Sequence, residues 1–132
     1  MKTEQKTELY MKLLKITAES RYGIMKEIWN LPIAARALHH NHYKDLISDS
    51  LTRLREEIYV TLMAEPALSS DEFSSGIAGC EDMAQIKKNI ALLALTGLSD
   101  ECIADLNCVS KGYVRIFTRT LKEDFPEIFE EI

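Results

Sequence analysis

The reading of the chain turns on residues 97–121, Gly97-Leu98-Ser99-Asp100-Glu101-Cys102-Ile103-Ala104-Asp105-Leu106-Asn107-Cys108-Val109-Ser110-Lys111-Gly112-Tyr113-Val114-Arg115-Ile116-Phe117-Thr118-Arg119-Thr120-Leu121. They parse as a short helix opened by Ser99, a tight turn near Asn107 and Cys108, and a second helix capped by Ser110. Each serine suits an N-cap, because its side-chain oxygen can accept from the free amides of the first turn. Ile103 is expected to face the core, and Ala104 is small enough to let the second helix cross closely. Val109 plugs the turn. Val114, Phe117 and Leu121 recur at helical spacing and are expected to bury against the first helix and its predecessor. That leaves Lys111, Gly112, Arg115, Thr118, Arg119 and Lys122 facing out, with Ser110 and Tyr113 at the helix start. A helix-turn-helix has this layout, and its second helix can enter the major groove of DNA. A basic face with small residues fits phosphate contact and base-edge reading.

The order and spacing of Gly97-Leu98-Ser99, Ile103-Ala104, Val109-Ser110 and Val114 resemble the helix-turn-helix of LuxR-type regulators. The promoter-reading C-terminal region of bacterial sigma factors is similar. The resemblance covers roughly residues 84–122. It implies a sequence-specific, DNA-binding transcriptional regulator whose partner is double-stranded DNA and whose recognition helix spans about 110–122. Two positions depart from the family pattern. Asn107 stands where a core aliphatic is usual, with Leu106 shifted by one place, and Cys108 stands where a turn glycine is usual. The same residues also describe an ordinary capped helical hairpin. The alternative function is then a helical protein-interaction module, an adaptor or antagonist without DNA binding.

Charge is distributed unevenly along the 132 residues, although the whole chain carries −5. Residues 1–82 hold 10 Lys or Arg against 13 Asp or Glu, and residues 83–122 hold 6 against 3. The last ten residues hold 5 carboxylates and no basic group. Phosphate attraction acts within a Debye length, so the local positive block weighs more than the chain total. With 46% hydrophobic and 28% charged residues the chain can bury a core. No apolar run approaches the roughly 20 residues of a membrane span, and Met1 to Lys15 mixes Glu and Lys, unlike a signal peptide. Cys80, Cys102 and Cys108 are odd in number and form no C-x-x-C pair, which points to a reducing cytoplasm.

Outward from the motif, the pattern predicts an all-α protein, with a long N-terminal helical hairpin followed by the helix-turn-helix. A first helix runs from Glu4 to about Asn30 on Leu9, Leu13, Ile16, Tyr22, Met25 and Trp29. Gly23 lies mid-pattern, at a cost of roughly 1 kcal/mol against Ala, which fits a bend or a close helix contact. Pro32 ends that helix and starts a second one reaching about Ala64. The stripe of the second helix is Tyr43, Ile47, Leu51, Leu54, Ile58 and Leu62. This near-heptad seam over residues 43–62 can fold back as a hairpin or pair two chains as a homodimer. The expected segmentation is a hairpin over 1–64, a hinge over 65–82 and a motif domain over 83–132. Ser69 and Glu72 have capping-box spacing inside the hinge. A helix from Met83 to Leu95 carries Met83, Ile86, Ile90 and Leu93 on one side. The acidic C-terminal helix carries Phe125, Ile128, Phe129 and Ile132.

His39, His40 and His42 are the only histidines. With Asp45 and Asp49 they suggest an incomplete divalent-metal set lacking a fourth ligand, so no metal site is assigned. No carboxylate pair, nucleophile elbow, Cys-His constellation or cofactor fingerprint has recognisable spacing. An enzyme is not expected, nor is a cofactor.

Overall fold

The computed structural model describes residues 2–30 and 40–129, with the side chains of 28–30 and 40–43 outside that description. Among the described residues there are eight helices and no strand, so the protein is all-α. The helices are α1 (Thr3–Asn30), α2 (His40–Met63), α3 (Pro66–Ser69), α4 (Glu72–Ala78), α5 (Gln85–Leu95), α6 (Asp100–Asn107), α7 (Lys111–Asp124) and α8 (Pro126–Phe129). The expected helix start at Pro32 lies outside the described residues, as do His39, Ile132 and the side chains of His40, His42, Trp29 and Tyr43.

The centre of the fold is α5. Its sequence from Asn89 to Leu95 has no charge, and Ile90, Ala91, Leu92 and Leu93 are fully buried. A helix apolar on all sides must be covered on all sides. Here α2, α4, α6 and α7 surround it. The single apolar side expected on Ile86, Ile90 and Leu93 is therefore only part of its buried surface. Each such side chain removed from water contributes about 1.5–3 kcal/mol.

The hairpin and the motif share this core. Leu9 and Leu13 of α1, with Leu54, Ile58 and Leu62 of α2, join the same apolar cluster as Ile103, Leu106, Val114 and Leu121. The segment expected as a hinge joins it too. Leu68 of α3 and Ile77 of α4 are buried there, so 65–82 is packed structure. Its cap also differs from expectation. Asp71, not Ser69, caps α4 by accepting from the Ser74 amide at 3.0 Å. Asp71 sits directly before Glu72, and its shorter carboxylate reaches the third amide of the turn.

α1 continues as one helix through Gly23, where an added Cβ would meet nothing within 4 Å, so the close helix contact expected there does not occur. Of the two uses open to the stripe of α2, the internal one takes most of it, with α2 packed on α1 as well as on α5. Leu54, Ile58 and Leu62 are buried, Leu51 is partly buried, and Ile47 is the one described member left 40% exposed.

Candidate nucleic-acid interface

The motif forms as a helix, a tight turn and a helix, with both N-termini capped and the first helix closed at its C-terminus. Ser99 accepts from the Cys102 amide at 3.3 Å and Ser110 from the Tyr113 amide at 3.1 Å. Between them the chain reverses through a left-handed residue. Cys108 has φ 55°, ψ 46° and occupies the position that glycine usually takes after a helix. Its amide donates to the Asp105 carbonyl at 3.3 Å, and the Val109 amide donates to the Ala104 carbonyl at 3.1 Å. These two bonds are the Schellman pattern, which ties the last turn of α6 to the start of the next helix.

Side chains of the hairpin bind the Leu106 and Asn107 carbonyls left over and add a second bond at Asp105. Thr17 of α1 donates to the Leu106 carbonyl at 3.3 Å, sharing its hydroxyl with Leu13. Arg21 of α1 donates to the Asp105 carbonyl at 2.9 Å, and Arg55 of α2 to the Asn107 carbonyl at 3.3 Å. A helix C-terminus has unsatisfied carbonyls and a partial negative charge, so two guanidinium groups suit it on both counts. Asn89 in turn accepts no role in the motif itself but donates to the Arg55 carbonyl at 2.9 Å, linking α5 to the same network. None of these residues stood out in the sequence as part of the site.

Leu106 and Asn107 are both fully buried, which explains the shifted aliphatic. Leu106 fills the core, while Asn107 turns its amide back to donate to the Ile103 carbonyl at 2.8 Å. The Asn107 Oδ1 finds no partner. Burying an unpaired amide oxygen costs about 1–3 kcal/mol, so this turn is less stable than an aliphatic would make it.

On α7, Val114 and Leu121 are buried and Phe117 is half-buried, as the period requires. Lys111, Gly112, Tyr113, Arg115, Arg119 and Lys122 are exposed, as is the capping Ser110. Thr118 departs from expectation. It lies four residues after Val114 on the inward row, is only 5% exposed, and its hydroxyl donates to Asp100 Oδ1 at 3.3 Å. It fastens α7 to the start of α6 and does not face outward. Gly112 has open space where a Cβ would stand. Ile116, 69% exposed, belongs to the outer face and was missed, although it shares a row with Gly112 and Thr120 at four-residue spacing.

The four cations at 111, 115, 119 and 122 fall on one side of α7 over about 17 Å, at 1.5 Å per residue. Lys111 is paired with Glu101, whose carboxyl is held below its usual range by that bond and by the charge of Lys111. Among the described residues, Arg115, Arg119 and Lys122 enter no ion pair. The latter three line a shallow depression of about 310 Å³ together with Asp100, Thr118 and Glu123. The face is therefore positive along its middle and fringed by carboxylates at both ends.

Among the described residues no group of three or more His, Cys, Asp or Glu side chains is placed to hold a metal ion, and no helix is long and apolar enough to cross a membrane. No protein-family model matches the sequence, and no curated protein or solved structure matches the chain.

Proposed function

We propose that the protein is a sequence-specific, DNA-binding transcriptional regulator, with α7 as the helix that enters the major groove. The observation supporting this reading is the exposed row Arg115, Arg119 and Lys122 on a helix set at a tight, Schellman-closed turn. Arginine offers bidentate donors to guanine, and Ile116, on the row beside the cations, offers an apolar contact for a thymine methyl. Ser110 keeps its O–H able to donate to phosphate while its oxygen caps the helix. The three free cysteines fit a reducing cytoplasm as the place of action.

Exposed Ile116 beside Tyr113 also favours a second reading, in which the same face binds an acidic amphipathic helix of another protein. An adaptor or antagonist would use it so. Electrophoretic shift with genomic DNA fragments over a salt series separates the two. The regulator reading expects retarded bands, a steep salt dependence, and loss of binding in Lys111→Ala/Arg115→Ala/Arg119→Ala with helicity and melting unchanged. Lys122→Ala should weaken all sequences alike and lower the salt slope by about one unit. Equal DNA affinity in the triple variant overturns the reading.

A further inference from the structure

We propose that the outward face of α1 is a self-association surface, on which α1 of a second copy of this chain packs antiparallel. The inward face of α1 is spent on Leu9, Leu13 and Thr17, which are buried. On the opposite side Met11, Lys15, Ala18, Tyr22 and Met25 are all exposed, the three large ones by 60%, 68% and 57%. Their spacing is four, three, four, three. That is heptad spacing, the pattern by which two helices pair over several turns, with Lys15 as its one charged member. It is a second apolar stripe on a helix whose first stripe already meets the core. Two large exposed methionines and a tyrosine in register are more than scattered surface apolar residues.

The charges on the seam select both the partner and its direction. In a parallel pair Lys15 would face Lys15 of the second copy, and Arg21 would lie beside Lys26. Both arrangements are repulsive. In an antiparallel pair with Met11 opposite Tyr22, Lys15 lies across from Ala18, which is small enough to receive the lysine stem. Lys12 then flanks Glu19 of the second copy, and Glu8 approaches Lys26. Each contact occurs twice by symmetry. The seam is thus self-complementary in one orientation and not the other. A lysine at a core position weakens a helix pair while fixing its register.

The seam from Met11 to Met25 is about 21 Å long at 1.5 Å per residue. A contact of that length is small, so a weak, concentration-dependent dimer is expected. The association draws on α1 alone and does not depend on α7 binding DNA.

Sedimentation velocity over a concentration series tests it. The wild-type chain should shift from monomer to dimer as concentration rises. Tyr22→Glu/Met25→Glu should remain monomeric with unchanged helicity and melting, since both positions are solvent-exposed in the monomer, a loss of at least about tenfold in affinity. The decisive arm uses two charge variants. Lys12→Glu alone and Glu19→Lys alone each place like charges together at both ends of the pair, so each should be monomeric. Mixed in equal amounts, they restore Lys–Glu pairs at both ends and should form a heterodimer. A wild-type monomer throughout, a dimer untouched by Tyr22→Glu/Met25→Glu, or two charge variants that do not associate on mixing would each overturn the proposal.

Discussion

Arg21 of α1 donates through one nitrogen to both the carbonyl of Asp105, at 2.9 Å, and its carboxylate, at 3.2 Å, and approaches the Cys108 sulfur at 3.6 Å. One side chain of the N-terminal helix therefore grips the last turn of α6 and the residue that reverses the chain. The pair is half exposed, at 48% and 60%, so screening by water reduces its contribution to stability below about 1 kcal/mol. Its effect falls on position. Replacing Arg21 with Met should leave the melting temperature nearly unchanged while amide exchange at 105–109 accelerates. DNA affinity should fall with it, because α7 is aimed by that turn. Unchanged exchange at the turn would show that the Schellman bonds alone suffice.

Cys108 sits where an L side chain meets its own carbonyl, a conformation costing about 1–2 kcal/mol for residues other than glycine. Cys108→Gly removes that strain and forfeits the partly buried sulfur. We expect a net gain of about 0.5–1 kcal/mol. Cys108→Val, branched at Cβ, should lose more than the glycine variant gains. Denaturant midpoints of the two variants read the difference directly.

Much of this was legible from spacing alone. The two serine caps, the turn at 107–108 and the inward row Val114, Phe117 and Leu121 follow from local chemistry, and local chemistry is what a sequence displays. Thr118 misled because a threonine on a polar-looking face can equally serve the inward row, and only the Asp100 partner decides which. The α2 stripe was legible only in part. A heptad seam shows that a helix will be covered but not by what: α2 packs on both α1 and α5, and Leu54, Ile58 and Leu62 lie in the core they share. The clamp of Thr17, Arg21 and Arg55 on the α6 terminus joins residues some fifty to ninety positions apart, and no pattern within the chain announces it.

Glu101 restrains the proposed DNA face at neutral pH. Its carboxyl is held below the ordinary glutamate value by the Lys111 bond, so it is ionised and keeps Lys111 engaged. The sign follows from that lowered value. The pair favours the folded state at pH above the unfolded glutamate value near about 4.3, and the benefit disappears as pH falls through the lower folded value. At physiological pH Glu101 therefore stays ionised and able to pair with Lys111. Glu101→Gln should release it, tightening non-specific DNA binding and steepening the logarithmic salt slope by about 0.9. An unchanged slope would mean that Lys111 makes no phosphate contact.

The acidic C-terminal segment invites two opposed expectations, that it masks the basic helix or that it completes the core. Phe129 is 4% exposed and meets Phe73 of α4 edge-on, with ring centres 5.6 Å apart, while Phe125 meets the same ring at 5.1 Å. The segment thus docks on α4 through Phe73 and packs on α7. Removing a buried phenylalanine costs about 3–5 kcal/mol, which for a domain of this size lowers melting by about 10 °C or more. Phe129→Ala should show that loss by itself, and deletion of residues 123–132 should show at least as much. The carboxylates act separately from the rings. Glu123 lines the same depression as Arg119 and Lys122, so Glu123→Gln should strengthen DNA binding at low salt with little change in melting. If the deletion instead tightened binding without loss of stability, α8 would be a mask and not a part of the core.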